Sequence, residues 1–227
     1  MRKYLKAGVL VFALLVPALV FLFLKNFGKN HYSLKTYYPV EIDSVNVNGE
    51  VKLDTVFHQI PPFDLISQTG EKITNATFDN TIYVADFFYT KCPDVCPKMS
   101  SQLSRIQDVF EGNDQVKILS HTVDPNYDSA EVLTDYGSSY GAKEGKWYFA
   151  TGNKKQIYDL ARYGYFVSAT EGTGGSEDFL HSEKFVLVDK NKHIRGYYNG
   201  TDPEDVDRLI LEIRVLLHGD ENEQGKG

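Results

Sequence analysis

The segment TIYVADFFYTKCPDVCP, residues 81–97 of this 227-residue chain, contains a predicted strand, a cysteine pair and the start of a predicted helix. Residues 81–89 are mostly β-branched or aromatic, which predicts a buried strand. Residues 97–110 then place four apolar side chains on one helical face, namely Met99, Leu103, Ile106 and Phe110. The chain's two cysteines, Cys92 and Cys96, lie between these elements. They therefore occupy the crossover from a buried strand to an amphipathic helix.

The elements on either side of this crossover alternate between strand and helix. A small hairpin, 63–66 with 72–74, precedes it. Further strands are predicted at 116–122, 147–150, 185–189 and 193–198, and further helices at 129–140, 154–163 and 203–217. Asp202 is a candidate N-cap for the last helix. This order indicates an α/β sandwich around a mixed central sheet.

Composition and charge exclude several classes of protein. With 42% hydrophobic and 13% aromatic residues, the chain is neither disordered nor collagen-like. Two cysteines are too few for a disulfide framework or a four-cysteine zinc site. From Lys25 onward there are 21 basic and 31 acidic residues, a net charge of −10. This net negative charge argues against a nucleic-acid partner, because binding phosphates requires a basic face.

The N-terminus predicts a membrane anchor. Residues 7–24 are uncharged and almost wholly apolar, close to the roughly 20 residues that cross a bilayer as a helix. Basic residues precede this segment, which favours a cytoplasmic N-terminus and an extracytoplasmic remainder. A cleaved signal sequence is the alternative, and it also exports the domain. We expect an anchor at 1–24, a tether at 25–60, a folded domain at 61–218 and a disordered tail at 219–227.

The position of the cysteine pair suits metal binding. The first turn of a helix presents unpaired amides and the positive end of the helix dipole, which stabilise thiolates. Three intervening residues put Cys92 and Cys96 on one face of a turn, with about 6 Å between their β-carbons. This arrangement suits one soft metal ion, whereas a disulfide needs local adjustment and redox pairs normally have two intervening residues. The alternative to metal binding is that the two cysteines only pack in the hydrophobic core.

Two thiolates and one imidazole are a donor set that suits copper. Of the six histidines, His31, His58, His193 and His218 are expected to be solvated. His121 on a predicted strand and His181 on a loop remain as candidate ligands. The loop position favours His181, because an ion that is taken up and released needs an accessible ligand, but His121 stays open.

The sequence around the cysteines, YTKCPDVCP at residues 89–97, resembles the signature of the Sco/SenC family of membrane-anchored copper chaperones. The resemblance continues in order from about Phe63 to Leu217. Its further segments are TVDP at 122–125 with Asp128, WYFATG at 147–152 and LHS at 180–182.

The resemblance implies a thioredoxin-like fold with an added N-terminal β-hairpin, preceded by one transmembrane helix. It also implies copper held by Cys92, Cys96 and His181, and delivery to the copper A centre of cytochrome c oxidase. The expected partner is subunit II of that oxidase or another extracytoplasmic cuproprotein. The alternative is a membrane-tethered thiol-disulfide oxidoreductase acting on extracytoplasmic cysteine pairs, in which Cys92 attacks a disulfide and Cys96 resolves it.

Overall fold

The computed structural model describes residues 2–27, 34–47, 50–167 and 182–224. The chain divides into two compact units, Met1–Ser33 and Leu34–Gly227.

The first unit contains one helix, α1, over Arg2–Phe27. Among the residues that the structure describes, we find no helix with the length and apolar character needed to cross a membrane. The anchor at residues 1–24 stays a prediction from the sequence.

The second unit is built on a mixed seven-stranded sheet. Its strands are β3 Asp64–Ser67, β4 Lys72–Thr74, β5 Ile82–Phe88, β6 Val116–Thr122, β7 Trp147–Thr151, β8 Lys184–Val188 and β9 Ile194–Asn199. They lie in the order β4-β3-β7-β6-β5-β8-β9. The central strands β5, β6 and β7 run parallel, and the flanking strands pair antiparallel. This arrangement confirms the predicted α/β class with a mixed central sheet.

Helices cover both faces of this sheet, as parallel strands require. Their bounds are α2 Val95–Val109, α3 Ala130–Ser139, α4 Lys154–Asp159 and α5 Pro203–Gln224. Side chains of α2, α3 and α5 pack into one hydrophobic core, and those of α4 into a second core. Because all seven residues of β5 are buried, this strand contributes to both cores. Strand β5 therefore lies between the two layers of helix.

Local interactions explain several of the element boundaries. The carboxylate of Asp202 accepts a hydrogen bond from the backbone N–H of Glu204 at 3.0 Å, so Asp202 caps α5 as predicted. Gly70 lies in the turn of the predicted β3–β4 hairpin, where its φ of +79° favours glycine. The predicted helix 154–163 changes at Leu160 into a π-helical turn, Leu160–Gly164.

Two regions differ from the expected organisation. Strands β1, Pro39–Val47, and β2, Glu50–Phe57, pair antiparallel inside the range 25–60 that the sequence predicts as a tether. Helix α5 continues to Gln224, beyond Gly219, where the sequence predicts the start of a disordered tail. The domain boundaries at 24, 60 and 218 remain predictions.

Two leucines of α5 provide a matched test of this packing. Leu209 is fully buried, whereas Leu211 is 58% exposed. We expect Leu209→Ala to lower the free energy of unfolding by about 2–5 kcal/mol, because it leaves a cavity in the core. Leu211→Ala should change it by no more than about 0.5 kcal/mol. Urea denaturation measures both; equal effects would contradict the assigned face of α5.

Candidate metal centre

The cysteine pair lies at the carboxyl edge of the sheet. Strand β5 ends at Phe88, and the chain then turns, with the N–H of Cys92 donating to the carbonyl of Tyr89 at 3.2 Å. Helix α2 begins three residues later, at Val95. The edge beyond the carboxyl ends of parallel strands is where open α/β sheets bind ligands. The predicted crossover is therefore confirmed in position and in type.

The sulfur of Cys92 satisfies the start of α2. Asp94 occupies the N-cap position, but its side chain makes no capping bond and instead pairs with Lys98 at 2.8 Å. The backbone N–H of Cys96, in the first turn, donates to the Cys92 sulfur at 3.3 Å. The sulfur thus takes the acceptor role that a capping side chain usually provides.

The two thiols are free and differ in environment. Cys92 is half-buried, and burial acts to raise its pKa. Hydrogen bonds outweigh burial and lower the pKa of Cys92; their donors are the Cys96 thiol, the backbone amides of Cys96 and Asp94, and the Tyr89 hydroxyl. These bonds favour the thiolate, which is the nucleophilic and metal-binding form.

The pKa of Cys96 is shifted in the opposite direction, upward. This cysteine is only 5% exposed. Burial raises its thiol pKa strongly, and the hydrogen bond to Cys92 and the nearby charge of Asp86 act in the same direction. Asp86 is itself buried on β5, and burial raises its carboxyl pKa to about 7. The pair therefore combines an accessible sulfur that ionises readily with an enclosed sulfur that holds its proton.

A cavity of about 330 Å³ adjoins both thiols. Its walls come from the end of β5, the turn, the start of α2 and the segment before β8. The lining residues are Phe87, Phe88, Tyr89, Cys92, Pro93, Asp94, Val95, Cys96, Ser182 and Glu183. A small ion bound to the sulfurs would have room here for a further donor from the chain or from a partner.

The structure removes His121 as a candidate ligand. Its ring stacks on Phe87, with the centroids 4.6 Å apart, and its Nδ1 lies 3.1 Å from the carbonyl of Asp86. These contacts belong to the core opposite the one that contains Cys96. Burial also lowers the pKa of His121 to about 4, so the ring is neutral. His121 is a packed core residue on the other face of the sheet.

The favoured ligand, His181, lies outside the described residues, as does His31. Of the histidines expected to be solvated, His58 is instead half-buried and lies 2.9 Å through Nε2 from the carbonyl of Gly164. In the part of the chain that the structure describes, no three His, Cys, Asp or Glu residues come together as a metal site. The described residues thus bring together Cys92 and Cys96 without a third ligand.

Sequence reasoning assigned no role at this site to three of its residues. The hydroxyl of Tyr89 hydrogen-bonds Cys92, and Ser182 and Glu183 line the cavity. The sequence places Tyr89 at the end of a strand and at the start of the YTKCPDVCP segment, and neither position predicts a contact with a thiol. The contribution of Ser182 and Glu183 depends on the antiparallel pairing of β8 with β5, which no local spacing reveals.

Comparisons with known proteins agree with this architecture. The chain is 24% identical over 167 residues to the SCO1 protein homolog of Bacillus subtilis (strain 168), covering 73% of this chain and 86% of that protein. The structure of BsSco, a member of the Sco family of cytochrome c oxidase assembly proteins in which a disulfide switch was identified, superposes with a TM-score of 0.59. It shares 24% identity and covers 69% of this chain and 92% of BsSco.

A second solved structure, Arabidopsis thaliana ScoI with copper bound, superposes with a TM-score of 0.55 at 26% identity, covering 68% of this chain and 97% of that one. These structures support the thioredoxin-like assignment of the fold. The sequence model of the SCO1/SenC family matches residues 52–218, which include the cysteine pair and all seven strands of the central sheet. This chain therefore belongs to the SCO1/SenC family.

Proposed function

We propose that this protein is a copper chaperone that binds one copper ion through Cys92, Cys96 and His181 and delivers it to the copper A centre of cytochrome c oxidase. The observation that carries the proposal is the pair of free thiols joined by an N–H···S bond beside an open cavity. Thiolate sulfur is a ligand that favours copper, particularly Cu(I). Family membership supports the same choice.

Two sulfur ligands leave a coordination position for a third ligand, and the cavity wall indicates which segment could supply it. Ser182 and Glu183 line the cavity with both cysteines, and they directly follow His181 in the sequence. This adjacency supports His181 as the third ligand. His121 cannot serve, because its ring packs into the opposite core.

Delivery to an oxidase is proposed from the relatives. Arabidopsis ScoI has been solved with copper bound, and BsSco belongs to a family of cytochrome c oxidase assembly proteins. We infer that the partner is subunit II of the oxidase or another extracytoplasmic cuproprotein. The apolar segment at residues 7–24 leads us to propose a membrane tether with the domain on the extracytoplasmic side.

The different exposure of the thiols suits transfer by ligand exchange. Partner thiolates and imidazoles would displace the chaperone's ligands one at a time, so that the ion is never without donors. Cys92 is the half-exposed sulfur that an incoming ligand can approach, whereas the buried Cys96 retains the ion until the exchange is nearly complete. The enclosed sulfur thus protects against early loss, and the accessible one allows hand-over.

Copper stoichiometry tests the proposal. We expect the reduced full-length protein to bind one copper ion per chain, and Cys92→Ser and Cys96→Ser to lose tight binding. His181→Ala should retain two sulfurs for Cu(I) but lose Cu(II) affinity, because Cu(II) prefers added nitrogen ligands. Metal analysis after dialysis and competition titrations measure these quantities.

The matched control for this test is His193→Ala. His193 lies beside Asp189 at the turn between β8 and β9, far along the sheet from the cysteines, so copper binding should be unchanged. A parent protein that binds no copper would refute the chaperone function. Unchanged Cu(II) affinity in His181→Ala would refute the ligand assignment alone.

Copper affinity should depend on pH. Metal binding requires both thiolates, and the raised pKa of Cys96 keeps that thiol protonated at neutral pH in the metal-free protein. Binding therefore releases at least one proton, so the apparent association constant should rise about tenfold or more per unit from pH 6 to 8. Competition titrations at fixed ionic strength measure the slope, and a flat profile would contradict the protonated state of Cys96.

A second candidate function is thiol-disulfide exchange, which the unequal thiols specifically favour. The half-exposed Cys92 with its lowered pKa has the properties of an attacking thiol. The buried Cys96 is placed to resolve a mixed disulfide. Reduction of a partner's cysteine disulfide by this dithiol would oxidise Cys92 and Cys96 to a disulfide and transfer two electrons and two protons.

Alkylation kinetics test this order of reactivity. In the reduced, copper-free protein at pH 7, we expect iodoacetamide to modify Cys92 at least ten times faster than Cys96, as measured by peptide mass spectrometry. Cys96→Ala should slow alkylation of Cys92, since the Cys96 thiol helps to lower its pKa. Equal rates at the two cysteines would contradict the assigned roles.

A further inference from the structure

Asp128 is a buried carboxylate beside the cysteine turn that the proposed copper chemistry does not use. It has no exposed surface. The hydroxyl of Thr90 donates to its Oδ1, while its Oδ2 accepts from the Thr90 amide at 3.2 Å and from the hydroxyl of Thr122. A carboxylate is costly to bury, and these donors offset that cost. These three hydrogen bonds therefore fix the position of the Asp128 carboxylate.

This carboxylate joins two loops at the carboxyl edge of the sheet. Thr90 follows β5 and lies two residues before Cys92, inside the turn closed by the bond from Cys92 N–H to Tyr89 O. Thr122 is the last residue of β6 and pairs in register with Phe88, the last residue of β5. Asp128 thus ties the turn that carries Cys92 to the end of the neighbouring strand.

Asp128 is itself held in place. Its N–H donates to the carbonyl of Asp124 at 2.9 Å, and the Asp124 N–H donates to the Thr122 hydroxyl at 3.0 Å. A second contact joins the same two loops, because the Lys91 ammonium lies 3.3 Å from the centroid of the Tyr127 ring. These contacts hold the loop after β6 in position against the turn that contains Thr90.

We propose that Asp128 is a positioning residue for the copper-binding thiols, acting through Thr90 to fix the turn that carries Cys92. This inference rests on the proposed copper function. The Asp128 carboxylate is occupied by hydrogen bonds from Thr90 and Thr122, so we assign it a positioning role and not that of a metal ligand. Groups that orient metal ligands from behind commonly affect metal affinity 10- to 100-fold.

A second buried carboxylate supplies the matched control. Asp189 accepts hydrogen bonds from the amides of Asn191 and His193 and pairs with Arg195. It follows β8, which runs antiparallel to β5, so it lies near the opposite edge of the sheet from Cys92. Asp189→Asn therefore weakens a comparable buried network without touching the cysteine turn.

The test compares copper affinity in full-length variants. We expect Asp128→Asn and Thr90→Val each to weaken Cu(I) binding about 10- to 100-fold. The double variant should be no weaker than Asp128→Asn alone, because Thr90→Val removes only a hydroxyl bond to that same carboxylate and leaves the bond from the Thr90 amide in place. Thr90→Ser keeps the hydroxyl and should bind within about threefold of the parent, and Asp189→Asn should bind like the parent.

Amide hydrogen exchange in the copper-free protein gives an independent measurement. Loss of the link should speed exchange at Thr90, Cys92 and Cys96 at least tenfold in Asp128→Asn and Thr90→Val. In Asp189→Asn the acceleration should instead appear at Asn191 and His193. If Asp128→Asn fails to fold, Thr90→Val and Thr90→Ser carry the test, since they leave the carboxylate intact.

The outcomes separate this inference from the copper function. A parent protein without copper affinity would refute the copper function, and the exchange data would still decide whether Asp128 positions the turn. Parent-like copper affinity and parent-like exchange in Thr90→Val would overturn the inference. Additive losses in the double variant, or an equal copper loss in Asp189→Asn, would also overturn it, because either result indicates a general structural role.

Discussion

Between Phe88 and Val95 the chain leaves a fully buried strand and starts a helix within a few residues. At the end of β5 the backbone turns, and the first amides of α2 need acceptors inside a packed sandwich. Asp94 turns away to Lys98, so the sulfur of Cys92 accepts the amide of Cys96. The same bond that completes the start of the helix also stabilises a thiolate at Cys92.

The parallel pairing of β5 with β6 gives this turn its support. Because the two strands end together, the loop after β6 lies against the cysteine turn, and Asp128 can reach Thr90. The antiparallel pairing of β8 with β5 brings Glu183 to the other side of the same cavity. The cysteine turn is thereby enclosed by segments that are distant in sequence.

Strong local patterns allowed much of the fold to be predicted. Strand β6 was predicted at its observed bounds because residues 116–122 are β-rich and bounded by turns. The hairpin β1–β2 was missed because its apolar residues change phase: Val40 and Ile42 alternate, then Val45 and Val47 alternate in the other register. The π-helical turn at Leu160–Gly164 was also missed, since its residues continue an ordinary helical pattern.

The candidate site could be predicted from the sequence only in part. Helical spacing predicted that the two cysteines lie close together, and the structure brings them together although Cys92 lies in the turn before α2 and not in the helix. The sequence pattern could not assign a face to His121, since β6 is buried on both sides and has no hydrophobic alternation to read. Nor could it reveal the hydrogen bonds between Thr90 and Asp128, which are 38 residues apart, because an acidic residue in a loop gives no local signal of a distant partner. Only the pairing of β5 with β6 converts that acid into a support for the thiols.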